Sequence, residues 1–281
     1  MHSTRPPAPL LAALLALLAA LCCAPAAAQA LHAPEIGQPG KDVVWVPTPE
    51  RLIVRMLQMA DTTSADLVVD LGSGDGRIPI AAAKRFGARG LGVEFDENLV
   101  QRSIRAAERA GVSDRVRFVR GDLFQADLSG ATVVALYLSP DVMTRLRPRL
   151  EALRPGTRIV SHQFTLGDWE PDESMTVENR PAYLWVVPVR VQGAWRLVLG
   201  DDAYELRLQQ THQRLTGSAE FQGKHAPVFA ARLRGEEIGF AFADRNGYPR
   251  AFSGTVAGDT MHGKALAYGQ PESTWRAQRL P

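Results

Sequence analysis

From residue 42 to residue 191 the chain alternates short apolar runs with amphipathic segments. The apolar runs predict strands at 67–70, 90–94, 116–119, 132–138, 158–160 and 183–189. Residues 77–86 predict one helix, and Asp96 can cap a second helix that ends at Gly111. Strands and helices in alternation, joined by short loops, predict an α/β domain, a parallel sheet with helices on both faces.

After residue 192 a two-residue period replaces the helical one. Large apolar side chains alternate with other residues in runs that include Trp195, Leu197 and Leu199; Tyr204, Leu206 and Leu208; Ile238, Phe240 and Phe242; Phe252 and Val256. Turn signals such as Asn246-Gly247 separate these runs. We therefore expect residues 193–281 to form a separate small antiparallel β barrel or sandwich. The sequence of this segment indicates no particular chemistry. Its histidines are scattered singly, so we expect no metal site there.

The first thirty residues have a basic N-terminal region followed by a short apolar run. Arg5 precedes the apolar residues 10–21, and residues 26–30 offer an Ala-x-Ala cleavage site. This pattern predicts a secretory signal peptide over residues 1–30, followed by a linker over 31–41. The protein is then exported, to the periplasm, and we expect membrane contact only through this segment; the alternative is an uncleaved membrane anchor. Both cysteines fall inside the segment, so the mature chain has no thiol for a disulfide, a metal or a nucleophile.

Composition and net charge bear on the class of protein and on its partners. The 281 residues are 46 % hydrophobic and 22 % charged, which is ordinary for a globular chain with a real core. The formal net charge is only +2, and so charge gives no reason to expect nucleic acid as a partner.

The loop after the first strand carries the chemistry: Asp70-Leu71-Gly72-Ser73-Gly74-Asp75-Gly76-Arg77. Its glycines let the backbone turn tightly and approach a ligand, and the helix that follows points free N–H groups at it. A dinucleotide site would place the third glycine at position 77, and a pyrophosphate would meet the acidic Asp75. Acidic residues at 70 and 75 favour instead a ligand with a cationic ammonium and sulfonium.

Two further segments stand where a nucleoside requires them. Glu94 ends the second strand and can accept both ribose hydroxyls, although a hydride-transfer enzyme would also place an acid there. Gly121-Asp122-Leu123 follows the third strand, where a carboxylate and an N–H can hold the adenine amino edge. Together these segments predict an S-adenosylmethionine site, with no metal, made by Asp70, Gly72, Ser73, Gly74, Asp75, Gly76, Glu94, Asp122 and Leu123.

Four segments together resemble a known family. They are Val46-Pro47-Thr48-Pro49, the 70–77 loop, Gly121-Asp122-Leu123-Phe124 and Gly167-Asp168-Trp169-Glu170-Pro171. Over residues 42–190 the chain resembles the protein-lysine methyltransferases related to the mitochondrial ATP synthase c-subunit methyltransferase, and their bacterial relatives. The resemblance implies a Rossmann-like class I methyltransferase fold, with the cofactor bound by Asp70, Gly72, Gly74 and Glu94 and with Asp122 facing the adenine. The signal segment and the β-rich tail are not part of the family pattern.

Methyl transfer requires alignment of donor and acceptor and a deprotonated acceptor amine. An apolar, aromatic channel favours the neutral amine of a lysine. Tyr137 is placed to line such a channel, and further candidates are Trp45, His162 and Trp169, although each also fits a packing role. Residues 137–140, Tyr-Leu-Ser-Pro, differ from the motif of enzymes that methylate planar exocyclic amines.

The sequence therefore predicts an S-adenosylmethionine-dependent methyltransferase that acts on protein lysine. A small-molecule N- or O-methyltransferase is an alternative, because nothing in the sequence defines the acceptor. A non-catalytic, exported nucleoside-binding module is another, because the cofactor is made in the cytosol. The expected partner is accordingly a protein or small-molecule methyl acceptor.

Overall fold

The computed structural model describes residues 35–281. The predicted signal peptide and the first part of the predicted linker lie outside the described residues. The helices are α1 (Glu50–Met59), α2 (Arg77–Phe86), α3 (Glu97–Ala110) and α4 (Pro140–Glu151). The strands of the first sheet are β1 (Leu67–Leu71), β2 (Arg89–Glu94), β3 (Val116–Arg120), β4 (Val133–Leu136), β5 (Arg158–His162), β6 (Glu173–Val177) and β7 (Arg180–Val186). Those that follow are β8 (Gly193–Leu199), β9 (Asp202–Thr211), β10 (Arg214–Phe221), β11 (Lys224–Arg234), β12 (Glu237–Ala243), β13 (Pro249–Ala257), β14 (Thr260–Ala267) and β15 (Ser273–Arg279).

The first seven strands form one sheet in the order β3-β2-β1-β4-β5-β7-β6. Strands β1 to β5 are parallel, as the sequence predicts. The prediction of a parallel sheet was wrong at the far edge, where β7 runs antiparallel to β5 and β6 antiparallel to β7. The turn between β6 and β7 consists of Glu178 and Asn179, both with positive φ. A two-residue turn of this kind can join only antiparallel strands.

Helices cover both faces of this sheet, as predicted. In β4, Val133 and Ala135 pack into a cluster with apolar side chains of α1 and α2. Val134 and Leu136, on the opposite face, pack into a second cluster with side chains of α4. Successive strand residues point to opposite faces, so a strand buried on both faces is a continuous apolar run in the sequence.

Local signals set the ends of the predicted helices. Asp96 accepts the backbone N–H of Asn98 at 2.8 Å before α3, and Gly111 ends that helix with a φ of +69°. Helix α4 was not predicted, and it contains Pro148, a residue that weakens a helical pattern. Helix α1 was not predicted either. None of the helices between residues 35 and 281 is both long and apolar enough to cross a membrane.

Strands β8 to β15 close into an antiparallel barrel in which β15 pairs with β8. The sequence predicted either a barrel or a sandwich, and the structure is a barrel. The interior is filled by large side chains, which include Trp195, Tyr204, Phe240, Phe242, Phe252 and Trp275. The rings of Phe242 and Phe252 stack with centroids 4.6 Å apart. An eight-stranded barrel has an interior just wide enough for such a core, and this one is packed.

Candidate functional site

A cavity of about 460 Å³ opens at the carboxyl ends of β1 to β4. Open α/β sheets bind their ligands at this edge, and the volume suits a small-molecule ligand. The cavity is lined by residues 38–48, 72–75, 93–96, 121–123 and 137–139, and by Asp70, Arg77, Ile78, Leu99 and Phe164. The predicted residues Asp70, Gly72, Ser73, Gly74, Asp75, Glu94, Asp122 and Leu123 all belong to this lining.

Two glycines of the loop after β1 have different roles. Gly74 has a φ of +55°, and a Cβ there would lie 2.5 Å from the indole nitrogen of Trp45, which covers the loop. Gly76 has a φ of +78°, and a Cβ there would meet the Phe118 ring at 2.6 Å and Ser103 at 2.7 Å. Gly76 does not belong to the lining among the described residues, so it serves helix–sheet packing rather than the predicted cofactor contact.

The two acidic residues of this loop are in different electrostatic states. Arg77 donates to both carboxylate oxygens of Asp75, at 2.8 and 2.5 Å, and this contact raises the pKa of Arg77. The charge of Asp75 is therefore already compensated, contrary to the expectation that it attracts a cationic ligand. Asp70 is buried and has no cationic partner within residues 35–281. Burial, with the nearby carboxylates of Glu94 and Asp75, raises the pKa of Asp70 to about 8.

Glu94 holds the glycine loop to the end of β2. One of its carboxylate oxygens accepts the backbone N–H of Gly74 at 2.9 Å. The other accepts the backbone N–H of Asp96, also at 2.9 Å. Each carboxylate oxygen has a second acceptor site, so Glu94 can still accept hydroxyl groups from a ligand in the cavity.

Asp122 follows β3 and is paired with a lysine that sequence reasoning missed. The ammonium of Lys41 lies 2.5 Å from a carboxylate oxygen of Asp122, and this contact lowers the pKa of Asp122. Lys41 also lies 4.9 Å from the ring centroid of Phe95, another unpredicted lining residue. The predicted linker, 31–41, thus contributes residues 38–41 to the cavity wall. Lys41 and Asp122 are 81 positions apart, so no local signal could have joined them.

Of the aromatic acceptor candidates, Tyr137 and Trp45 line the cavity. His162 lies behind Tyr137, with ring centroids 3.9 Å apart, and its Nδ1 is 3.2 Å from the hydroxyl of Thr48. Burial and the charge of Arg180 lower the pKa of His162 to about 4. The imidazole is therefore neutral at physiological pH, and it supports Tyr137 from behind.

Trp169 does not line the cavity, which corrects its candidacy for the acceptor channel and leaves the packing role that the sequence also allowed. Trp169 is 1 % exposed, and its indole N–H donates to the side-chain oxygen of Gln213, a barrel residue, at 3.0 Å. Phe164, from the same segment after β5, lines the cavity instead. Its ring stacks on Tyr137 with centroids 6.4 Å apart. Phe164 follows the carboxyl end of the parallel strand β5 by two residues, and this position could have predicted that it lies at the ligand-binding edge of the sheet.

The chemistry of this lining fits S-adenosylmethionine. Asp70 and Glu94 are carboxylates without a cationic partner in the described chain, and they stand near the glycine loop. Asp122 and the backbone of Leu123 stand one strand further along the sheet edge. Between residues 35 and 281, no group of three or more His, Cys, Asp or Glu side chains is arranged to hold a metal ion.

Comparisons with known proteins agree with this chemistry. Residues 70–173 match the ANTKMT methyltransferase domain. A protein-lysine N-methyltransferase of Saccharolobus islandicus is 43 % identical over 151 residues, which are 52 % of this chain and 94 % of that protein. The ATP synthase c-subunit lysine N-methyltransferase of Xenopus laevis is 35 % identical over 129 residues, which are 46 % of this chain and 56 % of that protein.

A solved structure is also similar. It is an RNA methyltransferase from Salinibacter ruber in complex with S-adenosyl-L-homocysteine, 50 % identical, with a TM-score of 0.51 over 52 % of this chain and 96 % of that chain. The match to the domain family ends at residue 173, before the barrel begins. The chain belongs to the family of the ANTKMT methyltransferase domain, and it is an S-adenosylmethionine-dependent methyltransferase.

Proposed function

We propose that this enzyme transfers a methyl group to the side-chain amine of a lysine in a protein. The observation that carries the proposal is the aromatic wall at the β4–β5 end of the cavity, formed by Tyr137 and Phe164. The names of the Saccharolobus and Xenopus relatives, both lysine N-methyltransferases, support it.

The order of the strands gives the cavity two chemically different halves. At the carboxyl ends of β3, β2 and β1 this half is acidic, because Asp122, Glu94 and Asp70 lie within two residues of where these strands end. Just past the carboxyl ends of β4 and β5 lie Tyr137 and Phe164, so the other half is aromatic. We assign the acidic half to the cofactor and the aromatic half to the acceptor.

In the acidic half, Asp70 would balance the positive charge of the cofactor, and Glu94 would accept its ribose hydroxyls. Asp122 and the backbone N–H of Leu123 would hold the adenine edge, once Asp122 is shared with or released from Lys41. When bound, the cofactor supplies a methyl group already activated on a sulfonium. The chain has therefore only to align the two reactants and to favour a neutral amine.

The aromatic half favours the neutral amine. The faces of Tyr137 and Phe164 can attract a lysine ammonium, and their apolar surroundings then lower the pKa of that amine. His162, uncharged at physiological pH, adds no positive charge that would repel the lysine. Once the proton has left for solvent, the amine nitrogen forms a bond to the methyl carbon. The carbon–sulfur bond breaks, and its electron pair stays on sulfur.

RNA is the rival acceptor, because the Salinibacter protein is named for RNA. The proposal is tested by incubating the full-length enzyme with methyl-labelled S-adenosylmethionine and a whole-cell extract of its source. Label should survive nuclease treatment, and acid hydrolysis of the protein fraction should release methylated lysine. Label in RNA, or in small molecules alone, would refute the lysine assignment.

A matched pair of tyrosine variants ties the activity to the cavity. Tyr137→Ala removes the aromatic face at the end of β4, and we expect label transfer to fall at least about 100-fold because alignment of the acceptor is lost. Tyr248→Ala removes a tyrosine that is 62 % exposed on the barrel, and transfer should not change. Equal rates for the two variants would contradict the assignment of the aromatic half.

A further inference from the structure

The segment between β5 and β6 connects the cavity to the barrel. It begins beside Phe164, which lines the cavity, and it then passes beneath the barrel at Trp169, which is 1 % exposed. None of the described residues 193–281 lines the cavity. The barrel can therefore act on the lining of the cavity only through residues that contact both, and this segment is one such connection.

Gln213, in the turn between β9 and β10, binds the segment with both ends of its amide. Its oxygen accepts the indole N–H of Trp169 at 3.0 Å, and its nitrogen donates to the backbone carbonyl of Glu170 at 2.6 Å. The backbone carbonyl of Gln213 accepts the N–H of Leu233 at 2.8 Å, which fixes the turn to β11. The residue is 3 % exposed. A leucine would fill the same space but would leave both groups of the segment without a partner.

His212, the neighbouring residue, adds a second contact. Its ring stacks on Trp169, with centroids 5.3 Å apart and planes 15° apart. Its Nε2 lies 3.1 Å from a carboxylate oxygen of Glu151 at the end of α4. Glu151 also accepts a hydrogen bond from Arg147 at 2.6 Å, and Arg147 pairs with Asp168 of the segment. Trp169 is thus held between α4 and the barrel.

The end of the segment is tied to β11 by charge. Arg232 lies 3.0 Å from Asp172, whose side chain is 1 % exposed and also accepts the backbone N–H of Val186 at 2.9 Å. Arg234 lies 2.7 Å from Glu173 at the start of β6. Polar contacts to the barrel therefore continue along the chain from Trp169 into β6.

We propose that the barrel is a positioning element for the acceptor half of the active site, and that Gln213 is its main positioning residue. By fixing Trp169 and Glu170, Gln213 fixes the segment that carries Phe164 to its place beside Tyr137. The inference rests on the proposed function in one respect, namely that Phe164 faces the acceptor. It explains how the barrel, which lies outside the family match and does not line the cavity, can act on the reaction.

The test compares Gln213→Leu with wild type in three measurements. The first is the rate of methyl transfer to poly-L-lysine and to the extract proteins, where we expect kcat to fall about ten-fold because Phe164 is less well held. The second is the Kd for S-adenosylmethionine, which should change less than about two-fold because no described barrel residue lines the cavity. The third is amide hydrogen exchange, which should become faster in residues 163–170.

Three further variants separate positioning from general loosening. Gln213→Glu keeps the acceptor for Trp169 but places a buried carboxylate oxygen against the carbonyl of Glu170, so its kcat should fall at least as far as that of Gln213→Leu. Gln209→Leu changes an exposed glutamine of β9 and should alter none of the measurements. Phe242→Leu loosens the barrel core without removing a contact to the segment, and it should leave exchange in 163–170 unchanged.

Unchanged exchange in 163–170 for Gln213→Leu would overturn the proposal. So would an equal loss of kcat in Phe242→Leu, or a Kd for the cofactor that weakens in step with kcat. If the wild-type enzyme methylates no lysine, the proposed function fails. Whether Gln213 positions the segment is still decided by amide exchange in residues 163–170 of Gln213→Leu and by whether that variant keeps the wild-type Kd for S-adenosylmethionine.

Discussion

Glu94 accepts the backbone N–H of Gly74 at 2.9 Å, and this hydrogen bond joins the end of β2 to the loop after β1. The same carboxylate is the one that the sequence assigns to the ribose. Glu94 thus shapes the glycine loop and also stands ready to bind the ligand that the loop surrounds. This double role makes Glu94 the side chain on which cofactor binding should depend most strongly.

The first prediction concerns that carboxylate. Glu94→Ala should weaken S-adenosylmethionine binding by about 1.5–3 kcal/mol, the scale of hydrogen bonds to a charged group. Titration calorimetry measures the change directly. Glu94→Gln, which keeps the shape and one acceptor oxygen, should lose less. Glu108→Ala, on the exposed side of α3, is the matched control and should bind as wild type does. An unchanged affinity in Glu94→Ala would contradict the assignment.

The second prediction concerns the pH dependence of cofactor binding. Because the pKa of Asp70 is about 8, its carboxyl is mostly protonated at pH 7 in the free enzyme. A cationic ligand favours the ionised form, so binding releases a proton and should strengthen as pH rises from 6 to 8. Asp70→Asn should remove this part of the pH dependence. Parallel binding profiles for the two proteins would show that Asp70 does not titrate in this range.

The same shift predicts how stability varies with pH. The pKa of Asp70 is raised from 3.8 when unfolded to about 8 when folded, so the folded state binds more protons between these values. The free energy of unfolding should therefore fall as pH rises through this window, by at most about 1.4 kcal/mol per pH unit from this group. Asp70→Asn should show a smaller fall in chemical denaturation. An identical slope in the two proteins would show that Asp70 is not its source.

The third prediction concerns the contact between Lys41 and Asp122. This ion pair, 2.5 Å long, ties the residues before α1 across the mouth of the cavity. Lys41→Met should raise both the association and the dissociation rate of S-adenosylmethionine, by up to about five-fold for a partly exposed pair. Stopped-flow tryptophan fluorescence can follow both rates, because Trp45 lines the cavity and the other four tryptophans do not. Arg51→Met breaks an exposed pair with Glu178 and should leave them unchanged. Equal rates in all three proteins would show that the pair does not gate the cavity.

The fourth prediction concerns residues 1–30. We propose that they direct export and are removed after Ala30, on the strength of the apolar run 10–21 and the Ala-Gln-Ala sequence that follows. Mass spectrometry of the protein purified from its own cells should find Leu31 as the first residue. An intact Met1 would refute processing.

Sequence could predict those parts of the site that depend on a strand and the residues directly after it. The carboxyl ends of parallel strands share one edge of the sheet, so Asp70, Glu94 and Asp122 were expected to meet there. They do line one cavity. The barrel was predictable for a related reason, because its interior positions repeat with a period of two residues.

The rest depends on contacts between distant residues. Lys41 reaches Asp122 across 81 positions, and Trp169 reaches Gln213 across 44. The role of Gly76 depends on Phe118, a residue of another strand. Strand β6 has only two apolar positions, Met175 and Val177, which alternate with exposed residues, so the pattern was too short to predict a strand. None of these relations leaves a local pattern in the chain.

The central claim is that the cavity at the carboxyl ends of β1 to β4 binds S-adenosylmethionine. Asp70 and Glu94, which form no ion pair with a cationic side chain within residues 35–281, would bind it there. Calorimetric titration of the full-length protein with S-adenosylmethionine, and separately with NAD, tests it most directly. We predict saturable binding of one S-adenosylmethionine per chain, weakened in Glu94→Ala, and no heat of binding with NAD. Binding of NAD in its place, or no binding of S-adenosylmethionine by the folded protein, would contradict the account.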